Sequence, residues 1–280
     1  MVPNPMARTL VRSSALLALL VAPTVAPHPA AGSGRVSMLV CIPGGPGTTQ
    51  DAAERLEGFF ARFEQVTGIA AEGEYHTRAD ACRAYLEHAK PRIGVFTYQM
   101  FLEDRERLGL VPVAEVVRFP RRDNRYHLVA RQGATLDALK GGRLWTPHAN
   151  QARFLSRVAF GGKVDLEHDF QLRRTASALK AIKALYSGQA DAIVLDDNEY
   201  ESLQDVPFGK RLTAVLSSEA LPGVPVVVIG ADRDLVTRLR ERLPKLCEGA
   251  EQTCRRLELS ALRPVTDATY ADMIRRYGSK

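Results

Sequence analysis

The sequence predicts an α/β fold in which helices flank mainly parallel sheets. From residue 36 onward, short apolar runs with strand character alternate with segments whose apolar residues recur at helical spacing. Of the 280 residues, 45% are hydrophobic and 25% charged, a composition that excludes a disordered, collagenous or coiled-coil chain. No period of about 20 to 50 residues repeats along the chain, which excludes a solenoid.

The first 32 residues are predicted to be an export signal. Arg8 and Arg12 precede the apolar run ALLALLVAPTVA, and the small-residue stretch AAGSG follows. These are the charged, hydrophobic and cleavage regions of a secretory signal peptide. The apolar run is too short to span a membrane well. We expect cleavage after Gly32, with an uncleaved membrane anchor as the alternative.

The charge pattern argues against a nucleic-acid partner. Removal of the signal segment lowers the formal charge from +6 to a mildly basic +4. Lys and Arg alternate with Asp and Glu in the later helices, as in DRDLVTRLRER, whereas nucleic-acid binders show a one-sided basic stripe. We therefore expect no nucleic-acid binding.

The four cysteines allow three disulfide connectivities in an oxidising compartment. Cys247 and Cys254 are the favoured pair. On an unbroken helix their separation would be about 10.5 Å, beyond the roughly 7 Å that a disulfide tolerates, so the helix must end between them. Gly249 supplies that end. Cys41, at the end of an apolar strand, is interpreted as a buried thiol, and the pairing of Cys41 with Cys82 stays open.

The first half of the chain predicts three strands, VSMLVCI, AEGEY and IGVFTY. A helix with Leu56 and Phe63 on its apolar face follows the first strand and ends at Gly68. Thr77 and Asp80 have the spacing of a capping box and predict the start of the next helix.

The second half repeats this alternation. YHLVAR, RLWTP, ADAIVLD, LTAVLSS and VPVVVIG predict strands, and DFQLRR leads into the next helix start. Asn150 is predicted to cap one helix, and Thr175 and Ser177 to start another. Two last helices are expected near 234–247 and 267–277. Two units of about 80 to 100 residues predict two lobes, with crossings near 115–120 and 212–217.

The ligand site is predicted at the carboxyl ends of the strands, where helices begin and present unpaired N–H groups. Several of these ends are rich in hydroxyl and amide side chains, which suit an anion or a polar small molecule. The candidate ligand-binding residues are Gly45, Thr48, Thr49, Thr97, Tyr98, Thr146, His148, Asn150, Gln151, Thr175, Ser177 and Asp196.

Each candidate also has an ordinary structural explanation. The loop PGGPGTT lacks the Lys of a Walker A loop, and Thr48 or Thr49 can simply cap a helix. Tyr98 can place its ring in the core, His148 can lie in a surface loop, and Asp196 can cap the next helix. No GxSxG, HExxH or CxxC motif is present. We therefore expect no catalytic residue, no metal and no cofactor.

The chain resembles the periplasmic solute-binding proteins of ABC importers, in the type II fold group for phosphate, phosphite and phosphonate. The stretches LDALKGGRLWTP and ALKAIKALYSGQADAIVLD carry most of the resemblance, together with LVCIPGGPGTTQDAAERLEGFFARFEQVTG, GVFTYQMF and LPGVPVVVIG. It implies lobe I over 33–116, lobe II over 117–214, and a return to lobe I over 215–280.

The resemblance also implies the function. It implies a periplasmic monomer that binds a small anionic solute between two lobes, closes by hinge motion and delivers the solute to a membrane permease. Tyr98, Thr175 or Ser177, and Asp196 match the family's binding positions. The family's hydroxyl-rich turn is replaced here by TPHANQ, in which only Thr146 keeps a hydroxyl. A bilobal periplasmic sensor or interaction module that signals to a membrane partner is the alternative.

Overall fold

The computed structural model describes residues 34–45, 47–120, 123–207 and 209–278, and the predicted signal peptide over 1–32 lies outside them. Six of the strands in this described part form the first sheet. They are β1 (Val36–Cys41), β2 (Ala71–His76), β3 (Ile93–Phe96), β4 (Val111–Arg118), β10 (Val224–Val228) and β11 (Leu259–Pro264). Their order across the sheet is β11, β4, β10, β3, β1, β2.

The other five strands form the second sheet. They are β5 (Tyr126–Arg131), β6 (Arg143–Thr146), β7 (Gln171–Arg174), β8 (Ala192–Asp196) and β9 (Leu212–Ser217). Their order is β7, β6, β8, β5, β9, so β7 and β9 are the edge strands.

Helices flank both sheets. In chain order they are α1 (Thr49–Thr67), α2 (Ala79–Ala89), α3 (Tyr98–Asp104), α4 (Leu136–Leu139), α5 (Ala152–Phe154), α6 (Ala178–Ser187), α7 (Asp197–Glu201), α8 (Arg233–Arg242), α9 (Glu251–Arg256) and α10 (Asp267–Gly278). No helix of the described residues is long and apolar enough to cross a membrane. The predicted two-lobed α/β architecture is confirmed.

Both sheets are mixed, which corrects the prediction of mainly parallel sheets. β1 is parallel to β2 and β3, and β6 is parallel to β7 and β8. β10 runs antiparallel to β3 and β4, and β5 runs antiparallel to β8 and β9. The reason is the chain path: β4 leaves the first sheet towards the second, and β10 returns in the opposite direction beside it.

The chain crosses between the sheets twice, once between the end of β4 at Arg118 and the start of β5 at Tyr126, and once between the end of β9 at Ser217 and the start of β10 at Val224. The domain limits drawn from the sequence fall a few residues earlier, inside β4 and inside β9. Buried residues of both sheets, including Leu39 and Leu128, belong to one continuous apolar core. The two sheets therefore share part of their apolar core.

Both cysteine pairs are joined in the structure. Cys247 and Cys254 are bonded, with their Cα atoms 5.8 Å apart, and the chain turns between them at Gly249, whose φ is +67°. Cys41 is bonded to Cys82, also with a Cα separation of 5.8 Å. The interpretation of Cys41 as a free buried thiol was wrong. The strand end at Cys41 lies beside α2, a neighbour that the sequence separation of 41 residues hides.

Three helix predictions need correction. Arg78, not Thr77, precedes α2, and no side chain caps that helix. Asn150 lies inside a short 3₁₀ turn that leads into α5 and a π-helical turn, so it caps nothing. The helix expected over 234–247 ends at Arg242, where a turn that contains Pro244 follows. By contrast, α1 ends at Gly68 as predicted, with φ at +69°.

Candidate functional site

A small cavity lies where the first crossing meets the end of β4, the start of β5 and the end of β8. Its lining residues come from both sheets, from the starts of α3 and α7, and from the first crossing: Tyr98, Arg118, Asn124, Arg125, Tyr126, Asp196, Asp197, Asn198 and Val224. Its volume of about 30 Å³ holds a water molecule or two. The cavity is therefore a small space that polar groups of both lobes line.

An ion pair between the sheets crosses this cavity. Arg118, the last residue of β4, places its guanidinium 3.0 Å from the carboxylate of Asp196 at the end of β8. Burial lowers the pKa of Arg118, but the Asp196 carboxylate, with smaller contributions from neighbouring groups, raises it by more. Arg118 stays cationic, and Asp196 occupies the place where a bound anion could lie.

The same carboxylate begins α7. Asp196 accepts a hydrogen bond from the Glu199 backbone N–H at 2.9 Å, and the Glu199 carboxylate accepts one from the Asp196 N–H at 3.0 Å. This is a capping box, which satisfies two N–H groups at the helix start. Asp197 accepts from the Arg125 backbone N–H at 2.8 Å, so the start of α7 is tied to the first crossing.

A second charged pair adjoins the cavity. The Nε2 atom of His148 lies 2.7 Å from the Glu199 carboxylate, and the His148 ring contacts the edge of Tyr126 at 5.4 Å between centroids. Burial lowers the pKa of His148, but the charge of Glu199 and its hydrogen bond raise it by more. A protonated His148 therefore suits this position.

The turn at TPHANQ offers few free donors. The Thr146 hydroxyl is buried, donates to the Val194 carbonyl at 2.8 Å and accepts from the His148 N–H at 3.1 Å. Asn150 is exposed. Gln151 is buried, and its Oε1 atom has no hydrogen-bond partner among the described residues. The Thr146 hydroxyl, the one hydroxyl in this turn, is thus already hydrogen-bonded to backbone groups of the protein.

Aromatic rings form the wall of the cavity. The Tyr98 hydroxyl donates to the Pro222 carbonyl at 2.6 Å, and its ring stacks on Phe154 at 4.9 Å. Tyr126 meets the same Phe154 ring edge-on at 5.9 Å. Burial raises the pKa of both tyrosines, so both phenols stay neutral hydrogen-bonding groups.

The glycine-rich loop lies near the second sheet but outside the cavity. A Cβ atom on Gly44 would approach the Pro147 carbonyl oxygen to 2.6 Å, so this loop touches the turn after β6. The N–H of Gly45 donates to the Ile42 carbonyl. Thr48 caps α1 in a capping box, and the Thr49 hydroxyl donates to the Tyr75 carbonyl at 2.8 Å. Both threonines are exposed.

The other predicted hydroxyls form hydrogen bonds with nearby backbone groups. Thr97 is buried and accepts from the Met100 N–H at the start of α3, at 3.4 Å. Thr175 is buried and donates to the Ser177 carbonyl, and the exposed Ser177 caps α6. Among the predicted site residues, Tyr98 and Asp196 line the cavity, and His148 joins them through Glu199. Ligand contact by the others stays a prediction.

Three side chains have the spacing of metal ligands. His148, Asp196 and Glu199 each offer one ligand atom, and these atoms lie within 4.8 Å of one another. Each of them already has a partner, and the cationic guanidinium of Arg118 lies directly against Asp196. That positive charge opposes a metal ion at this place, so the cluster gives no reason to assign one.

Sequence reasoning missed Arg118, Tyr126 and Glu199. Arg118 is one of several arginines in VVRFPRRDNR, and its residue type does not distinguish it from the others. Its position distinguishes it, because the end of a strand that leads from one lobe to the other must lie between the lobes. Glu199 follows Asp196 by three residues, which is the spacing of the capping box that the structure contains.

Comparison with known proteins gives a family match. A family model described as "ABC transporter, phosphonate, periplasmic substrate-binding protein" matches residues 46–270. No curated protein matches the chain. Among solved structures, the chain is similar to a binding-protein component of an ABC phosphonate transporter from Pseudomonas aeruginosa. The identity is 17% and the TM-score 0.62, over 84% of this chain and 83% of that chain.

Two further structures share the fold. A protein from Xanthomonas citri bound to ATP has 17% identity and a TM-score of 0.65, over 86% of this chain and 95% of that one. PhnD1 from Prochlorococcus marinus, in complex with methylphosphonate, has 15% identity and a TM-score of 0.62, over 88% of this chain and 97% of that one. At these identities the likeness establishes the fold.

Proposed function

Because the chain belongs to the family of periplasmic phosphonate substrate-binding proteins of ABC transporters, we propose that it binds a small solute with a phosphonate or related oxyanion group between its two lobes. The family binds solutes for import and consists of binding proteins, not enzymes. A small solute and a membrane permease are therefore its partners. The proposed solute class and the closure of the lobes go beyond the family match.

The Arg118–Asp196 pair is the observation that carries this proposal. A guanidinium binds oxyanions through two parallel N–H bonds, and it keeps its charge at every physiological pH. One guanidinium nitrogen of Arg118 lies 3.0 Å from one carboxylate oxygen of Asp196, so an anionic oxygen already lies where we propose that a solute oxygen binds. We propose that the solute replaces Asp196 as the partner of Arg118.

Arg118 also explains how an oxyanion can be held without a hydroxyl-rich turn. The Thr146 hydroxyl is committed to the Val194 carbonyl and to the His148 N–H. Protonated His148, which lies beside Asp196, is proposed as a second donor, and the rings of Tyr98 and Tyr126 are proposed to pack against the carbon substituent of the solute.

We propose that the remaining sequence candidates contact the solute through their backbone, if at all, because their side chains serve other contacts. Gly45, Thr48 and Thr49 lie outside the cavity, and the side chains of Thr97, Thr175 and Ser177 form hydrogen bonds at helix starts. These residues would bind the solute through the backbone N–H groups at the helix starts.

We further propose that the lobes open and close about the two crossing segments, 119–125 and 218–223. The cavity of about 30 Å³ is smaller than a phosphonate group with its substituent. The solute must therefore reach Arg118 in a more open arrangement. Binding that favours closure is the usual behaviour of two-lobed binding proteins, and we propose a monomer as the acting unit.

Thermal unfolding with a panel of solutes tests this function. The panel contains phosphate, phosphite, methylphosphonate, larger alkylphosphonates and sulfate, each added to the chain without residues 1–32. A solute at about 100 times its Kd adds roughly 2.7 kcal/mol of stability, an easily measured shift. Stabilisation by one phosphorus oxyanion and not by sulfate supports the proposal.

Arg118→Gln is the variant that links the shift to the site. We expect it to remove the stabilisation by the solute, because the neutral amide cannot neutralise an oxyanion. Arg107→Gln, at an exposed arginine that pairs with Asp104, is the matched control and should leave solute binding unchanged. Equal solute binding by Arg118→Gln and the unchanged protein would reject Arg118 as the anion-binding group.

A further inference from the structure

A basic groove runs along one edge of the second sheet, between α6 and the edge strand β7. Its volume is about 800 Å³. Arg143 and Trp145 of β6 lie beside Gln171 and Arg173 of β7 in register, so these four side chains stand on the same face of the sheet. Lys180, in the first turn of α6, forms the opposite wall.

The charged side chains that line the groove are all basic. Arg143, Arg173 and Lys180 line it, and no carboxylate of the described residues lines it with them. Arg143 is paired with Asp191 at 3.0 Å, at the far end. The net charge of the lining therefore comes from Arg173 and Lys180. A partner that covers this groove needs negative charge of its own.

A partly buried aromatic ring orients one of these charges. The guanidinium carbon of Arg173 lies 4.3 Å from the ring centroid of Trp145. A guanidinium that stacks on a ring keeps its N–H groups in its own plane, where carboxylate oxygens can accept from them. The stack also provides flat apolar surface for the methylene groups of a side chain. This pairing fits glutamate or aspartate in a peptide.

The strand beside the groove has an open edge. β7 is the outermost strand of its sheet and pairs with β6 alone among the described strands. An open edge can pair with an extended peptide through main-chain hydrogen bonds, while alternate side chains of that peptide face the groove. The geometry therefore favours an extended segment over a helix or a free ion.

The groove also lies on the side of the lobe that carries the candidate site. Trp145 immediately precedes Thr146, which supports the His148 turn, and Lys180 lies one turn after the start of α6. β6, β7 and β8 are parallel, so the ends of β6 and β7 lie at the same edge of the sheet as Asp196, which lines the cavity. A partner in the groove would thus contact the second lobe.

From these observations we infer that the groove between α6 and β7 docks an extended acidic segment of the membrane permease. The identity of the partner rests on the proposed function, whereas the acidic, extended chemistry rests on the groove itself. Glutamate or aspartate side chains of the segment contact Arg173 and Lys180, and its backbone pairs with β7.

The single tryptophan of the chain makes the inference measurable, since Trp145 is the only one. The probe is a blocked synthetic peptide of alternating glutamate and threonine. We expect a saturable change in tryptophan fluorescence, which weakens as salt is added because exposed charges are screened. The same peptide with N-methylated backbone amides should not bind, since it cannot pair with the strand edge.

Charge-removing variants locate the binding. Arg173→Gln combined with Lys180→Gln should weaken the peptide about tenfold, from two exposed ion pairs lost. Lys183→Gln is the matched control, because Lys183 is exposed on the same helix and does not line the groove. Titration calorimetry supplies the affinities, so that an altered tryptophan environment in the variants cannot mislead.

Other outcomes overturn the inference. Equal affinity of the double variant and the control rejects the groove. A response to anionic phospholipid vesicles with none to the peptide indicates a membrane surface, and a response that depends on protein concentration alone indicates a second copy. Failure of every solute to stabilise the same protein would reject the proposed function while leaving the peptide result standing.

A transport measurement connects the groove to the permease. In cells that carry the chain with its permease, the double variant should bind solute normally and lose most of its uptake, whereas Lys183→Gln should keep it. Normal uptake by the double variant rejects the permease as the partner.

Discussion

The guanidinium of Arg118 lies 3.0 Å from the Asp196 carboxylate, so each group neutralises the other in the absence of solute. Asp196 also caps α7 through the Glu199 N–H. The Asp196 side chain thus has a structural role as a helix cap and an electrostatic role as the partner of Arg118, and a substitution can separate the two. His148 is coupled to the same residues through Glu199. At the scale of single residues, the site is a set of charges that already satisfy one another.

Asp196→Asn separates the two roles. Asparagine caps helices well, so α7 should keep its start, while Arg118 loses its charged partner. We expect a stability loss of about 1 kcal/mol, since the pair is partly exposed, and solute affinity about fivefold higher because Arg118 is freed. Urea unfolding and calorimetry measure the two quantities. A lower affinity would mean that Asp196 itself contacts the solute.

The pH dependence of stability should report on His148. Glu199 raises the pKa of His148 above its usual 6.5 despite the opposing effect of burial. The folded protein therefore holds this proton more tightly than the unfolded chain. The resulting stabilisation is complete below about pH 6.5 and is lost as the pH rises through the folded pKa.

His148→Gln should remove this part of the pH dependence. Free energies of unfolding measured from acidic to alkaline pH, for the unchanged protein and the variant, provide the comparison. His168→Gln is the control, because the His168 side chain is 86% exposed. If both variants retain the same slope, His148 is not the titrating group.

At the scale of elements, the two disulfides connect different distances along the chain. Cys41–Cys82 joins the end of β1 to α2 across 41 residues, while Cys247–Cys254 closes a turn of 7 residues before and into α9. Both disulfides lie in the first lobe, and Cys41 of the first disulfide lies shortly before the glycine-rich loop. Their contributions to stability should differ because a longer loop loses more entropy when it is closed.

Replacement of each cysteine pair by serine tests this difference. We expect a loss of about 4 kcal/mol for Cys41 and Cys82, and of about 2 kcal/mol for Cys247 and Cys254, from loop length alone. Urea unfolding of the two double variants measures it. Equal losses would show that local packing, rather than loop closure, determines the contribution of each bond.

At the scale of the whole molecule, the lobes meet through loops as well as through the cavity. Gly44 belongs to the loop after β1, and a side chain there would strike the Pro147 carbonyl at the end of β6. The two loops belong to different sheets. This contact is available only when the lobes are close together, so it should respond to opening.

Gly44→Ala should therefore hinder closure. Gly133→Ala is a matched control, because both glycines have φ at +88° but nothing lies within 4 Å of a Cβ atom at Gly133. Each variant should lose about 1 kcal/mol from the left-handed backbone. Only Gly44→Ala should also weaken solute binding, by about tenfold, because the closed arrangement is lost. Equal solute affinities would contradict closure at this contact.

Local patterns predicted most elements of the fold. The apolar run VSMLVC predicts β1, the spacing of Leu56 and Phe63 predicts α1, and Gly68 marks its end. The capping preference of Ser177 predicts the start of α6. These features depend on residues a few positions apart, and the same residues decide them in the fold.

The predictions that failed depend on distant partners. Cys41 meets Cys82 across 41 residues, and β10 enters antiparallel because the chain returns from the other sheet. Thr77 and Asn150 have good capping chemistry, but the packing of the chain places the helix starts elsewhere.

By itself the sequence determined that this protein has an α/β fold in two lobes. It also determined where the strands end and that polar helix starts follow them. Hydrophobic periodicity and capping specify these features because they act between residues that are close in the sequence. Only the tertiary structure decided which of those polar groups meet. Arg118 and Asp196 are 78 residues apart in the chain, and they form an ion pair because β4 and β8 end at the same place between the two sheets.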